Sequence, residues 1–309
     1  MIGNDVHAKC MLMSKTPTPY VRAVRRIYTT AFSAHNLKIA MPKLNGVLEN
    51  MVKIIEATRD GGPVDFQSLC LKMTTDVIGS VALDTNLGAL DGSGNIQSLL
   101  LQAGYIGRAI LLNPLREFYV KLFPNSKTAK EQASVISAMT SEWDKLTEEI
   151  LKRDDPPEGE EPIWSSMRQL KDPDTDKPIS FNSLRAELAT VIFTGLDTTG
   201  HQMGWLFALL ASHPRVVEKL LEELRSNGLY GPDSRDVTFE DLGQLTYLTA
   251  IMKEGMRIGY ISSGCLPRIV PEDMTILDYR VPKGTLISYA GTRSLCIEEE
   301  WGDPDVFRP

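Results

Sequence analysis

From Glu187 to Ala211 the apolar residues Leu188, Val191, Ile192, Leu196, Met203, Leu206, Phe207 and Leu210 recur at three- and four-residue spacings. That is the period of a helix packed inside a protein, and at roughly 1.5 Å per residue it spans about 40 Å, the width of a domain. Midway the pattern is interrupted by Thr194-Gly195-Leu196-Asp197-Thr198-Thr199. Gly195, Asp197, Thr198 and Thr199 are poor helix formers at positions where Leu or Ala would be more stable. Asp and Thr side chains compete for backbone hydrogen bonds, and a mid-helix glycine removes a side chain where something approaches closely. A local rule broken at the centre of a core helix marks a candidate functional site. The alternative is a kink with a solvated aspartate.

A second helix is predicted over Leu245 to Ile258, past Asn227-Gly228 and a Gly/Pro/Asp-rich loop, with Leu248, Ile251 and Met252 as its apolar side. It carries Glu254 and Arg257 at i, i+3, a spacing that by itself fits a solvated ion pair worth roughly 0.2–0.5 kcal/mol. Leu99 to Leu112, broken by Gln102 and Arg108 and followed by Leu115, Phe118, Tyr119, Leu122 and Phe123, reads either as a buried helix or as a membrane-touching surface. The Pro/Glu-rich run Asp154 to Pro162 reads as an exposed loop, and no internal repeat is present.

With 42% hydrophobic residues in 309 positions the chain has material for one large core, so residues 1–309 are read as a single, mainly α domain. The four cysteines, Cys10, Cys70, Cys265 and Cys296, have no C-x-x-C spacing and argue against a disulfide framework. A net charge of −7 gives no reason to expect nucleic acid as a partner, and Arg22, Arg25 and Arg26 form only a local basic cluster. His7, His35, His201 and His213 are scattered, with no H-E-x-x-H, G-x-S-x-G or P-loop pattern. No stretch reaches the roughly 18 uninterrupted apolar residues of a spanning helix, and Met1 to Pro19 lacks the apolar core of a signal peptide. The expectation for this chain alone is therefore a cytoplasmic or peripherally bound protein.

Taken in order, these residues resemble the cytochrome P-450 family of haem-thiolate monooxygenases. The family's central helix carries (A/G)-G-x-(D/E)-T-(T/S), matched by Thr194 to Thr199 with Thr194 in place of the first small residue. Its E-x-x-R helix is matched by Glu254-Gly255-Met256-Arg257, its following basic loop by Leu266-Pro267-Arg268, and its D-P-x-x-F-x-P segment by Asp303 to Pro309. Arg22-Ala23-Val24-Arg25-Arg26 followed by Ala31-Phe32-Ser33 is similar to the family's early basic helix, with Val21 where a Trp is usual. The stretch Lys253 to Pro271 is most similar to fungal membrane-bound members that oxidise terpenoids and other secondary metabolites.

The resemblance implies a mainly α fold with a small β region and haem b as cofactor. The implied partners are dioxygen, an apolar small-molecule substrate and an NADPH-dependent reductase, and full-length relatives sit on the cytosolic face of the endoplasmic reticulum membrane. It implies a catalytic role for Thr198, as hydrogen-bond donor to the activated oxygen, and for Asp197 as proton relay. Gly195 would leave room for dioxygen, and Arg25 and Arg268 would neutralise haem propionates. Glu254 and Arg257 would be structural, and Ile261, Ser262, Ser263, Gly264, Cys265 and Leu266 would line the substrate pocket.

Two family features are not found: an N-terminal anchor, and the loop F-x-x-G-x-x-x-C-x-G whose Cys is the iron's axial thiolate. None of the four cysteines lies in such a loop, so no metal ligand is assigned and the polypeptide as given is expected not to form a thiolate-ligated haem. An Arg that closes a triad with the E-x-x-R pair is expected just past Pro309, and without it a buried charge left unpaired would cost roughly 3–5 kcal/mol. Two readings follow: a segment of an active, reductase-dependent monooxygenase, or an inactive helical remnant that binds an apolar ligand or a partner.

Overall fold

The computed structural model describes residues 9–309 apart from 13, 15–17, 59–60, 103, 105–112, 262–266 and 289–290. The chain divides into two compact units, Met1–Gly200 with Val237–Phe239, and His201–Asp236 with Glu240–Pro309.

The first unit is helical. Its elements are α1 (Pro19–Ala31), α2 (Ala34–Ala57), α3 (Phe66–Leu83), α4 (Pro114–Leu122), α5 (Lys127–Lys152), α6 (Ile163–Arg168) and the first two thirds of α7 (Phe181–Ala211). Local chemistry sets where several of these start. Thr18, Ser33, Asp65 and Ser126 each cap a helix by accepting an N–H from three residues on, satisfying a donor that a helix start otherwise leaves unpaired. Pro19 and Pro114 occupy the first helical positions, where a missing N–H costs nothing.

The core of this unit joins Val24, Leu83, Trp143, Leu146, Ile150, Trp164, Met167, Leu188, Ile192 and Leu196. Along α7, Leu188 and Ile192 are fully buried and Leu196 nearly so. Each such side chain contributes about 1.5–3 kcal/mol relative to an exposed one. The predicted helix starts six residues earlier than its apolar run, at Phe181, and it continues without a break through Thr194 to Thr199. The expected interruption is therefore chemical and leaves the helix whole.

Among the described residues the second unit holds the end of α7, α8 (Pro214–Ser226), a short 3-10 turn (Glu240–Gly243), α9 (Thr246–Ile258), four short strands and two single-turn helices. Strands β1 (Arg268–Ile269) and β4 (Leu286–Ile287) pair antiparallel, as do β2 (Met274–Ile276) and β3 (Tyr279–Val281) with Met274 opposite Val281. The two single-turn helices are α10 (Gly291–Ser294) and α11 (Glu298–Trp301). Glu223 on α8 accepts the N–H groups of Tyr247 and Leu248 at 2.7 and 2.9 Å. It thereby serves as the N-terminal cap of α9 from a neighbouring helix.

Burial in this unit departs from the periodicity. Met203, Leu206 and Leu210 of α7 are only half-buried, and Phe207 and, on α9, Met252 are exposed. Apolar spacing marks the side that gains from cover; it does not supply the cover. The loop Asp154 to Pro162 is exposed or half-buried throughout, as expected. In the 99–112 stretch Leu99 and Leu100 are buried and Leu101 and Gln102 exposed, while most of the remainder lies outside the described residues. On α4 and just after it, Leu115, Phe118, Tyr119, Leu122 and Phe123 are all exposed.

Candidate functional site

In the first unit the side chains of α7 change character along the helix. From Ser183 to Ile192 they are buried, apart from Arg185. Phe193, Thr194, Thr198 and Thr199 are then exposed, with Gly195 and Asp197 half-buried. Residues four apart on a helix share a face, so Phe193 with Asp197, and Thr194 with Thr198, form two adjacent rows. Three threonines at four-residue spacing bond back to the helix: Thr190 to the Ala186 carbonyl at 2.8 Å, Thr194 to that of Thr190 at 2.8 Å and Thr198 to that of Thr194 at 3.2 Å. Back-bonding lets a hydroxyl sit in a helix without an unmet donor. The Thr198 bond is the longest of the three and is made at an exposed position.

A side chain at Gly195 would meet Ile78 of α3 at 2.6 Å, and one at Gly200 would meet Leu71 and Thr74 of α3 at 2.8 and 2.9 Å. The direction a side chain would take at either glycine is therefore filled by α3, which packs closely against this side of α7. Thr74 adds a hydrogen bond to the Leu196 carbonyl at 3.0 Å.

A residue that the motifs did not single out lies three turns before Asp197. Glu187 is fully buried, and its Oε1 accepts the Met11 N–H at 2.7 Å and the Tyr20 hydroxyl at 2.9 Å. Its Oε2 accepts the Tyr28 hydroxyl at 3.5 Å. Burial pushes the carboxyl above the usual carboxylate range, and the bonds from Tyr20, Met11 and Tyr28 pull it partly back. The Tyr20 and Tyr28 phenols are raised, by burial and by the negative charge of Glu187. Beside it, the Cys10 thiol lies 3.0 Å from the Thr190 hydroxyl.

In the second unit Glu254 and Arg257 form a closed lock. Arg257 Nε and Nη2 donate to the two Glu254 oxygens at 2.7 and 2.8 Å. Its Nη1 donates to the carbonyls of Leu295 and Pro304 at 3.1 and 2.6 Å, and Nη2 to that of Val306 at 3.1 Å. The Arg308 N–H donates to Glu254 Oε1 at 3.0 Å, and the Trp301 ring lies 4.9 Å from the guanidinium carbon. A guanidinium offers five N–H donors, and this one meets five acceptors. The unpaired buried charge expected from a missing third partner is therefore absent: the Asp303–Pro309 segment fills that role with backbone groups. The bond from Arg257 holds the Glu254 carboxyl below its usual range, and the same contact raises the guanidinium.

Arg25 stands exposed on α1 with its guanidinium unpaired among the described residues. Arg268 is exposed on β1, its Nη1 3.4 Å from the Pro267 carbonyl. Ile261 is exposed, and the other expected pocket residues, Ser262, Ser263, Gly264, Cys265 and Leu266, lie outside the described residues. Among the described residues no three His, Cys, Asp or Glu side chains converge as a metal site. Cys10 and Cys70 are buried free thiols and Cys296 is an exposed one; burial pushes the Cys70 thiol up, the opposite of what a metal thiolate needs.

A family model described as cytochrome P450 matches residues 4–309. Cytochrome P450 3A6 of Oryctolagus cuniculus is 24% identical over 298 residues, covering 93% of this chain and 58% of that protein. Cytochrome P450 71B38 of Arabidopsis thaliana is 24% identical over 308 residues, covering 93% and 59%. The chain thus spans somewhat under three fifths of the length of these relatives. Among solved structures, a crystal structure of the cytochrome P450 CYP102L1 superimposes with a TM-score of 0.82 at 18% identity, covering 97% of this chain and 67% of the other. Retinoic acid bound cyanobacterial CYP120A1 gives 0.72 at 19% identity, covering 94% and 60%. These two likenesses carry the fold.

Proposed function

The chain belongs to the cytochrome P450 family, and from that premise we propose that this protein works as a haem-dependent monooxygenase that hydroxylates or epoxidises an apolar small molecule. The observation that carries the proposal is the opening of α7 at Phe193, Thr194, Asp197 and Thr198, where the helix, buried from Ser183 to Ile192 apart from Arg185, presents one aromatic ring, two hydroxyls and a carboxyl. Family members bind haem b, which when bound supplies the activation of dioxygen. The residues of this chain fit the periphery of that group: the unpaired guanidinium of Arg25 suits a propionate, and exposed polar groups on α7 suit an oxygen-binding face. None of the described cysteines suits its iron, since Cys10 and Cys70 are enclosed in the first unit's core and Cys296 stands among the backbone acceptors of the Arg257 lock.

The roles of the chain's own groups follow from their settings. Thr198 gives up a 3.2 Å bond to the Thr194 carbonyl when its hydroxyl turns outward to donate, a small cost for a neutral bond at an exposed site. Asp197, half-buried next to it, holds the proton that replaces the one donated. Phe193 contributes apolar surface to the same face. Glu254 and Arg257 do no chemistry and keep the Asp303–Pro309 backbone in place.

Finer assignments are part of the proposal. A terpenoid or other secondary metabolite as substrate is supported by the character of Lys253 to Pro271 alone. An NADPH-dependent reductase as partner fits the exposed Arg22 and Arg26 beside Arg25. Among the described residues no helix is long and apolar enough to cross a membrane, and the exposed face of Leu115, Phe118 and Leu122 supports contact with the endoplasmic reticulum surface. The test uses the full-length protein with a reductase, reading the ferrous carbonyl spectrum and product formation from a panel of apolar small molecules. A thiolate-type band and an oxygenated product are expected, and Thr198→Ala is expected to consume reductant while losing most product. Absence of the band from the full-length protein would leave the alternative of an inactive apolar-ligand binder.

A further inference from the structure

We propose that Glu187 is a positioning residue for α1: its carboxyl ties α1 to α7 through Tyr20 and Tyr28 and so sets where Arg25 stands. The proposal rests on the monooxygenase reading only for what Arg25 meets; the tie itself does not depend on it.

Tyr20, Val24 and Tyr28 lie at four-residue steps and form one stripe of α1, with Val24 fully buried between the two rings. Their backbones are two turns apart, about 12 Å along the axis, yet both hydroxyls converge on the one Glu187 carboxyl, at 2.9 and 3.5 Å. At roughly 100° per residue, Arg22, Arg25 and Arg26 fall about 100–200° around the helix from Val24. All three are exposed. The carboxyl thus grips the side of α1 opposite Arg22 and Arg26, with Arg25 on its flank. Apolar packing along the stripe can hold α1 against the core, but it is non-directional and leaves roll about the axis poorly determined. Two hydrogen bonds from different turns to a single fixed group do determine roll. The chain just ahead of α1 is drawn into the same arrangement: the Met11 N–H donates to Glu187, the Lys9 N–H to Ser183 Oγ at 2.9 Å, and the Tyr20 hydroxyl lies 3.2 Å from the Lys9 carbonyl.

A carboxyl at a fully enclosed position is a costly choice where an apolar residue would be more stable. Every donor it accepts from comes from α1 or the segment leading into it. A group that lowers stability but joins two elements in one orientation fits a specificity role.

The experiment is amide hydrogen exchange on the full-length protein, comparing wild type with Glu187→Ala, Glu187→Gln, the double variant Tyr20→Phe/Tyr28→Phe, and the triple combination with Glu187→Ala. Loss of the tie is expected to speed exchange across Val21–Ala31 about tenfold or more in Glu187→Ala and in the double variant, while α3 and α5 keep their rates. The triple variant is expected to be no faster than Glu187→Ala. Glu187→Gln, which keeps an acceptor for Met11 and Tyr20, is expected to retain most of the protection. Additive effects, uniform acceleration over α1, α3 and α5, or equal loss in the Gln and Ala variants would each overturn the proposal. The double variant leaves Glu187 in place and tests the tie even if Glu187→Ala does not fold.

A second measurement separates the tie from the role of Arg25. Phenylglyoxal labelling of the haem-loaded full-length protein is expected to modify Arg22 faster than Arg25 in wild type and to erase that difference in Glu187→Ala. Equal labelling in wild type with the exchange pattern intact would sink the haem-propionate reading of Arg25 and leave the tie standing.

Discussion

Two glutamates, one in each unit and Glu254 only half-buried, have met opposite solutions. Glu254 in the second unit is paired with a guanidinium three residues on, and every hydrogen of that guanidinium has an acceptor. Glu187 in the first unit has no ion pair among the described residues and relies on two phenols and an amide. The first carboxyl is held below its usual range by its cation, and the second is pushed above it by burial. The difference teaches what each site is for. A fully compensated pair can lock backbone in place at little electrostatic cost, whereas an uncompensated carboxyl is tolerated only where the direction of its hydrogen bonds is wanted.

The strongest way to break the comparison is Arg257→Ala. It strips Glu254 of its cation and leaves the carbonyls of Leu295, Pro304 and Val306 without donors, and a loss of about 3–5 kcal/mol is expected in equilibrium denaturation. If the loss were below about 1 kcal/mol, the scale of an exposed pair, the lock would not be buried in solution.

The pH dependence should then separate the two carboxyls by sign. Glu254 has a lowered folded value, so its contribution is complete above the unfolded value near 4.3 and is lost as pH falls through the lowered one. Glu187 has a raised folded value, so its contribution is complete below about 4.3 and is lost as pH rises through the raised one. Glu254→Gln is therefore expected to flatten the acid side of the stability profile, and Glu187→Gln the side above it. Finding both changes on the same side would remove the contrast.

Smaller changes sharpen it. Trp301→Leu takes away the ring 4.9 Å from the Arg257 guanidinium carbon, and a loss of about 0.5–2 kcal/mol by denaturation is expected. Tyr28→Phe removes only the 3.5 Å bond to Glu187 and is expected to cost less than about 1 kcal/mol, below the cost of Tyr20→Phe, whose bond is 2.9 Å. Equal costs for the two tyrosines would mean that the longer contact shortens in solution.

Much of the secondary structure was legible from local chemistry. The apolar period of α7 and the spacing of Glu254 and Arg257 act within a few residues of themselves, and the observed helices follow them closely; the caps at Ser33, Asp65 and Ser126 are equally local but were read only from the structure. The rows Phe193–Asp197 and Thr194–Thr198 follow from helix period alone. Legibility ended where a partner lies far along the chain. The contacts of Glu187 are 159 to 176 residues away, and Ile78, which fills the space beside Gly195, belongs to another helix with no mark in sequence to pair it.

The amino-acid sequence by itself thus determined that the segments of α7 and α9 coil, which face of each wants cover, and that Thr194–Thr199 would be unusual. Only the tertiary structure decided that α3 packs against Gly195, that the backbone of Asp303–Pro309 satisfies Arg257, and that Glu187 joins α1 to α7. Helix period and capping are short-range and read from neighbours. Burial, hydrogen-bond completion and pKa depend on atoms brought close by folding, and a carboxyl's neighbours in space are not written beside it in the chain.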